Sequence, residues 1–284
     1  MPRFLPTSDF RARRRVLTRS DFGIAPHPEP RPADLIDKKT WQSLVTLPDD
    51  VAVRTSSHQG TTLAQLNELT SAWLFSTRMP PHRESMSPVM LDAYDEIEAS
   101  IYNCLTGYYR FSIAGLRNVL ELAAIGCWAE VCGKKQEFRD WQEEKIELNL
   151  GRACDGLISG AAALESHLKA TVNDTLFAQK NPAGTARITI EGGWVRRSFS
   201  GISNYSHSRP KYIDSHLRES TGPIYVESAF KHVAWIHFET IALAYVLALI
   251  ARPKMRISPK IRELFADERR VRSKVTRAAF IHLS

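Results

Sequence analysis

Two stretches of this chain carry side chains whose types and spacing are able to do proton or phosphate chemistry. The first is Gly192 to Pro210, GGWVRRSFSGISNYSHSRP. Projected at about 100° per residue, Arg196, Ser200, Ser203, Asn204 and His207 fall on one side of a helix, and Trp194, Val195, Phe199, Ile202 and Tyr205 on the other. A histidine moves protons near neutral pH, an arginine neutralises a developing oxyanion, and an asparagine orients a substrate. The second stretch is Tyr108 to Glu121, YYRFSIAGLRNVLE. Its Arg110, Arg117 and Glu121 stand at spacings of seven and four, on one face of a helix that is otherwise largely apolar from Phe111 to Trp128. A charged pair in so apolar a run is either buried as a unit or turned toward a cleft. The plainer account of the same residues is structural, with His207 bonded under a bundle edge and Arg117 and Glu121 satisfying each other. Neither stretch is the signature of one reaction.

The elements that must position these residues read as helices. Thr61 to Phe75 has apolar residues at helical spacing, with Leu63, Leu66, Leu69 and Trp73 in register. Thr40 to Arg54 is broken by Pro48-Asp49-Asp50 and predicts a short helical turn and an edge strand. The prolines of residues 79–88 mark a linker, and Ser87-Pro88 starts a helix that runs to Gly107. A second helix follows from Tyr108 to Cys132. A third covers about Lys134 to Asn149, and Leu157, Leu164 and Leu168 carry a fourth toward Val172. Residues 173–193 read as a loop with at most a short strand at Arg187 to Glu191. Glycines then open the His207 helix and Pro210 closes it.

Glu227 to Ala251 invites the membrane test. His237 and Glu239 interrupt its first half, and the uncharged run that follows is shorter than the roughly 20 residues a bilayer span needs, so a buried bundle helix and no membrane span are expected. His232 and His237 lie five apart, on different faces, and read as packing histidines rather than a metal pair. At the end of the chain Ser258 caps and Pro259 starts one helix to Ser284, whose flank carries Arg270, Lys274 and Arg277.

Charge is divided unevenly. The net charge of +7 is made of +4 in residues 1–40 (nine bases, five acids), −4 in residues 41–250 (nineteen and twenty-three) and +7 in residues 251–284 (ten and three). Any anionic partner is therefore a matter for the two ends. Arg11 to Arg15 and the alternate prolines at 26, 28, 30 and 32 make residues 1–40 a basic, proline-rich arm. Residues 41–84 follow as a helical extension, 85–252 as the bundle and 253–284 as a basic C-terminal helix. The four cysteines, Cys104, Cys127, Cys132 and Cys154, form no CxxC pair and read as buried free thiols of a cytoplasmic protein. No P-loop, GxGxxG, HExxH, GxSxG or kinase motif is present, so no cofactor or metal is expected.

Taken together, YYRFSIAGLRNVLELA, GWVRRSFSGISNYSHSRP and ESTGPIYVESAF, the last leading into the apolar helix, resemble bacterial helical proteins of the HEPN-like type. The resemblance covers roughly residues 90–252 and is most specific at Leu116 to Glu121 and Tyr205 to Pro210. It implies an all-α bundle, often dimeric, in a superfamily many of whose members are metal-independent endoribonucleases of toxin–antitoxin, abortive-infection and RNA-processing systems. Their site is an arginine, a polar residue and a histidine at RxxxxH to RxxxxxxH spacing. Here His207 fits, but Ser200, Gly201 and Ile202 stand where the arginine belongs. Arg196 is eleven residues before His207, about 16 Å along a helix axis, too far for both to act on one phosphate without a second chain or helix; Arg117 from the neighbouring helix and Arg209 just past the histidine are the alternatives for the missing cation.

Two functions follow as expectations. One is a non-catalytic HEPN-like interaction module, a homodimer with polar residues in structural roles and a protein partner. The other is a metal-independent endoribonuclease or RNA-binding protein of a toxin or phage-defence type. In that case His207 is the acid–base group, Arg117 or Arg196 the phosphate cation, Asn204 the orienting residue and Glu121 the partner of Arg117. Whether the chain is an enzyme turns on those five side chains.

Overall fold

The computed structural model describes residues 37–77, 85–178, 192–206 and 223–284. The proline-rich arm, the strand expected at Arg187 to Glu191, and His207 with Arg209 lie outside the described residues. Among the described residues the protein is all-α, with no strand.

The chain enters through α1 (Lys38–Trp41) and one π-helical turn (Gln42–Thr46) that runs into α2 (Leu47–Thr77). The turn and edge strand expected over Thr40 to Arg54 are thus helix instead. Pro48 directly follows the π-helical turn, in which the Leu47 amide still donates to the Gln42 carbonyl, so the helical backbone continues through the proline. Gln59, at φ −125° and ψ 18°, kinks α2, and its amide donates to the Tyr225 hydroxyl at 2.8 Å. The kink is a point of attachment.

Two long helices build the centre. α3 (Met86–Leu105) begins two residues before the expected Pro88 start, and α4 (Tyr109–Val131) packs most extensively on α3 and next on the late helix α9 (Glu227–Ala251). The turn between α3 and α4 demands a glycine. Gly107 has φ +86°, and a β-carbon there would run into the backbone of Ile224. Gly107→Ala therefore combines a left-handed penalty with a backbone collision and is expected to cost about 3 kcal/mol, read from urea denaturation.

Shorter helices cover one side of α4. α5 (Lys135–Gln142) ends seven residues before the expected Asn149, and Glu144 takes a positive φ of 58° in the connection. Asn149 instead caps α6 (Leu150–Gly160) by accepting from the Arg152 amide at 2.9 Å. Ala161 separates α6 from α7 (Ala162–Val172). Then come α8 (Trp194–Ser206) and α9.

Every residue of α9 from Ile236 to Leu249 is buried. By length and composition α9 is long and apolar enough to cross a membrane, and 89% of its most apolar window lies inside the protein. A helix that is apolar all round needs such an envelope.

The single C-terminal helix expected from Ser258 is two. α10 (Pro259–Ala266) starts as read, with the Ser258 hydroxyl accepting from the Ile261 amide. The chain then turns through Asp267 to Ser273, and Ser273 caps α11 (Lys274–Leu283) by accepting from the Thr276 amide at 3.1 Å. The flank of Arg270, Lys274 and Arg277 is consequently dissolved: Arg270 lies in the turn, and Arg277 donates back to the Val271 and Arg272 carbonyls. Phe265 and Phe280 meet edge to face at 5.0 Å and are buried, so this basic segment docks on its own protein. Buried apolar side chains form one cluster from Leu63 of α2 to Phe280 of α11.

Candidate functional site

The position of α8 is set by its first residues. The amides of Gly193, Trp194 and Val195 donate to the carbonyls of Ala178, Thr175 and Leu176, at 2.9, 2.8 and 3.0 Å. The Glu165 carboxylate accepts from the amides of Leu176 and Phe177, holding that acceptor strip in place. The leading end of α8 thus finds protein acceptors for its amides. Val195 and Ile202 are buried along the helix, and the remaining sides of α8 meet three different neighbours.

One side meets α4. Arg110 donates to the Tyr205 carbonyl, and Arg117 donates from Nε to the Ser203 hydroxyl at 3.2 Å. The Arg117 guanidinium also lies 4.8 Å from the centre of the Phe199 ring and 3.5 Å from Glu121. The face of α4 carrying Arg110, Arg117 and Glu121 is therefore real. With 30% and 24% of their side-chain surfaces exposed, Arg117 and Glu121 form a rim pair rather than a dry one. Arg117→Ala is expected to cost about 1 kcal/mol in thermal or urea unfolding, well short of the roughly 3–5 kcal/mol of a fully buried pair.

The next side meets α6. Arg196 donates to Asp155 and to the Gly151 carbonyl, the latter at 3.0 Å. Of the candidate residues, then, Arg117 and Glu121 stand together, Arg196 is drawn off to α6, and Asn204 faces elsewhere. His207 lies outside the described residues.

The third side meets α9 across a cleft of about 330 Å³. From α8 it is lined by Trp194, Arg197, Ser198, Gly201, Asn204 and Tyr205. From α9 it is lined by His232, Trp235, Ile236, Glu239, Thr240 and Leu243. The α9 residues repeat at three, four, seven, eight and eleven positions, a single helical stripe. That stripe was the available sequence signal: it gathers polar residues of an otherwise apolar helix onto one side.

Hydrogen bonding fixes the cleft walls. The Tyr205 hydroxyl and His232 Nε2 are 2.9 Å apart, and the His232 ring lies 5.7 Å from that of Trp235. Arg197 pairs with Asp174 at 2.6 Å and covers the Trp194 ring at 5.2 Å. Glu239 accepts from the Thr276 hydroxyl at 2.7 Å and from the Ser273 amide at 3.2 Å, which puts its charge at the positive end of α11. Burial nevertheless raises its pKa above the ordinary glutamate value. Arg272 sits 4.8 Å over Trp235 and Arg270 5.1 Å over Phe238, and neither has a carboxylate within ion-pair distance among the described residues.

Of the four cysteines expected to be buried, Cys104, Cys127 and Cys154 are, and burial pushes the Cys154 thiol up to about 12; Cys132 is only half-buried, 3.4 Å from the Gly156 carbonyl, and burial raises its pKa as well. Among the described residues no three His, Cys, Asp or Glu side chains gather closely enough to hold a metal ion. Compared with protein-family models, with curated proteins and with solved structures, the chain matches none.

Proposed function

We propose that this chain is a non-catalytic helical binding module of HEPN-like type that works as a homodimer. The observation that carries this reading is the use already made of its arginines. A phosphoryl-transfer site needs a cation free to meet developing charge. Arg196 is engaged by Asp155 and the Gly151 carbonyl, and Arg117 by Glu121, Ser203 and Phe199. Both are supports for α8. Another side of the same helix holds the concave, largely apolar cleft expected of a binding site.

Self-association through the body of α4 is limited, because α3, α6, α8 and α9 all pack on it. Near the start of α4 Phe111 is 67% exposed and meets Tyr108 edge to face, and at the end of α3 Tyr102 is exposed as well. Exposed rings such as these are apolar area that a second copy would cover.

The test is to incubate the full chain with single-stranded RNA in EDTA and to measure its mass by sedimentation equilibrium at micromolar concentration. Intact RNA and a dimer are expected. Cleavage that disappears in His207→Ala, with its melting temperature kept, overturns the non-catalytic reading in favour of the ribonuclease. A monomer throughout overturns the dimer.

A further inference from the structure

The C-terminal segment carries more cations than carboxylates engage. Lys260 pairs with Glu68, Arg269 with Asp267 and Arg277 with Glu268. Lys254, Arg256, Arg262, Arg270, Arg272 and Lys274 have no carboxylate within ion-pair distance among the described residues, and all but the half-buried Arg270 are exposed. Glu263 is the one acid of this stretch outside an ion pair among the described residues. Burial lowers the Arg270 pKa below the ordinary arginine value, and Asp267 offsets this only in part. An added anion relieves that cost.

Packing lays these cations out in a line. After leaving the end of α9 the chain runs back along it: Ile257 and Ile261 line a groove with Tyr245, the Phe265 ring lies 5.3 Å from that of Tyr245, Arg270 lies over Phe238 and Arg272 over Trp235. From Ala251 back to Trp235 this follows about 24 Å of helix axis. Ile257, Ile261, Phe265, Val271 and Val275 are buried, which leaves the charged side chains of the same segment in water.

The surface between the cations separates partner classes. Adsorption to a membrane requires apolar side chains that insert, and Ile281, near the far end of α11, is the one large exposed apolar residue after Ala251. Single-strand binding relies on open rings for base stacking, whereas Phe238, Phe265 and Phe280 are buried and Trp235 lies under Arg272. What remains is spaced positive charge, the complement of a phosphate backbone.

We propose that residues 254–274 form a strip that binds the phosphate backbone of a nucleic-acid duplex. Each strand of a duplex carries a phosphate about every 3.4 Å of axis, so about 24 Å presents roughly seven, against the six unpaired cations of the strip. The proposal rests on the binding-module reading and names the partner class of that module, at a surface apart from the α8–α9 cleft. Duplex DNA and duplex RNA share this backbone chemistry, and separate probes distinguish them.

The test is fluorescence anisotropy of the full chain with a labelled DNA duplex, the RNA duplex of the same sequence and the single DNA strand, from about 50 to about 200 mM salt. Duplex binding is expected, with a log affinity that falls against log salt at a slope of about −5, from six contacts at about −0.9 each. The duplex bound more tightly identifies the source. Combining Lys254→Gln, Arg256→Gln, Arg262→Gln and Lys274→Gln is expected to make the slope shallower by about 3.6 and to weaken binding at least about ten-fold. Combining Arg11→Gln, Arg13→Gln, Arg14→Gln and Arg15→Gln in the arm is expected to keep the wild-type slope.

A wild-type slope in the strip variant overturns the proposal, as does loss of binding in the arm variant, tighter binding of the single strand than of either duplex, or binding to phosphatidylglycerol vesicles with none to duplex. Should the four-fold strip variant fail to fold, Arg256→Gln with Lys274→Gln carries the test, with a slope change of about 1.8. RNA cleavage in EDTA by a protein whose slopes behave as expected sinks the non-catalytic reading alone. Intact RNA with a wild-type slope in the strip variant sinks this proposal alone.

Discussion

Acidification from pH 7 to pH 4 is expected to destabilise this protein by about 3 kcal/mol through one side chain, His237. His237 is completely buried in α9, and burial pushes its pKa down to about 4 from an ordinary value of about 6.5. Its folded pKa lies below its unfolded one. The neutral ring's contribution is accordingly present above about pH 6.5 and lost as the pH falls toward about 4.

Hydrogen bonding identifies the physical cost. The Val233 carbonyl, 2.9 Å from Nδ1, can only accept, so Nδ1 carries the proton of the neutral ring. Nε2 then faces the Ser100 hydroxyl at 2.9 Å, and that hydroxyl also reaches the Ser112 carbonyl. With the ring neutral, the single Ser100 proton serves either Nε2 or the Ser112 carbonyl; on protonation Nε2 donates to the Ser100 oxygen, and the Ser100 proton goes to Ser112. No bond is forfeited, and the charge alone opposes the change. Urea curves from pH 7 to pH 4 on wild type and His237→Phe check this: the acid slope is expected to flatten in the variant. An unchanged slope would falsify the assignment.

How far the fold was readable depends on whether its determinants were local. α9 announced itself because a buried helix is apolar on every side, and the Ser258-Pro259 start of α10 because capping is written in adjacent residues. The break after Ala266 was hidden. Ile261, Leu264, Phe265, Val271 and Val275 keep an apolar rhythm across it, and what stops the helix is Asp267 and Ser273 folding back on local amides, without a glycine or proline to mark the place. In the Thr40 to Arg54 segment the error ran the other way, because Pro48 reads as a breaker but follows a π-helical turn without ending the helix.

The site was half legible for the same reason. Arg117 with Glu121 is an i, i+4 pair and was found. The cleft joins residues 194–205 to 232–243 and is backed by 272–276, three segments that only the tertiary packing brings together. Arg196 and Asn204 share a side on a projection, yet neighbours on two flanks divide them, since Arg196 finds Asp155 while Asn204 lines the cleft. His232, read as packing, forms part of the cleft wall, whereas His237, read the same way, is indeed core.

Glu239→Ala is the substitution expected to couple the fold to the cleft most strongly, at a cost of about 3 kcal/mol. Glu239 is 6% exposed, and its carboxylate accepts from the hydroxyl of the fully buried Thr276 and from the Ser273 amide that begins α11. Alanine leaves both donors dry at about 1–3 kcal/mol each and removes a negative charge from the positive end of the helix. α11 is expected to loosen first, and protection of its amides against hydrogen exchange is expected to fall before that of α4.

The pH dependence has the opposite sign to that of His237. Burial raises the Glu239 pKa, so its stabilising share is complete below the ordinary glutamate range and declines as pH rises through the raised folded value. Glu239→Gln keeps an acceptor oxygen for Thr276 and carries no charge. It is expected to retain more stability than alanine and to lose that alkaline-going decline. Denaturation of both variants between pH 4 and pH 7 reads the two effects separately. If Glu239→Ala comes within about 1 kcal/mol of wild type, the carboxylate does not anchor α11, and the cleft floor must be held by Phe265 and Phe280 through the C-terminal core instead.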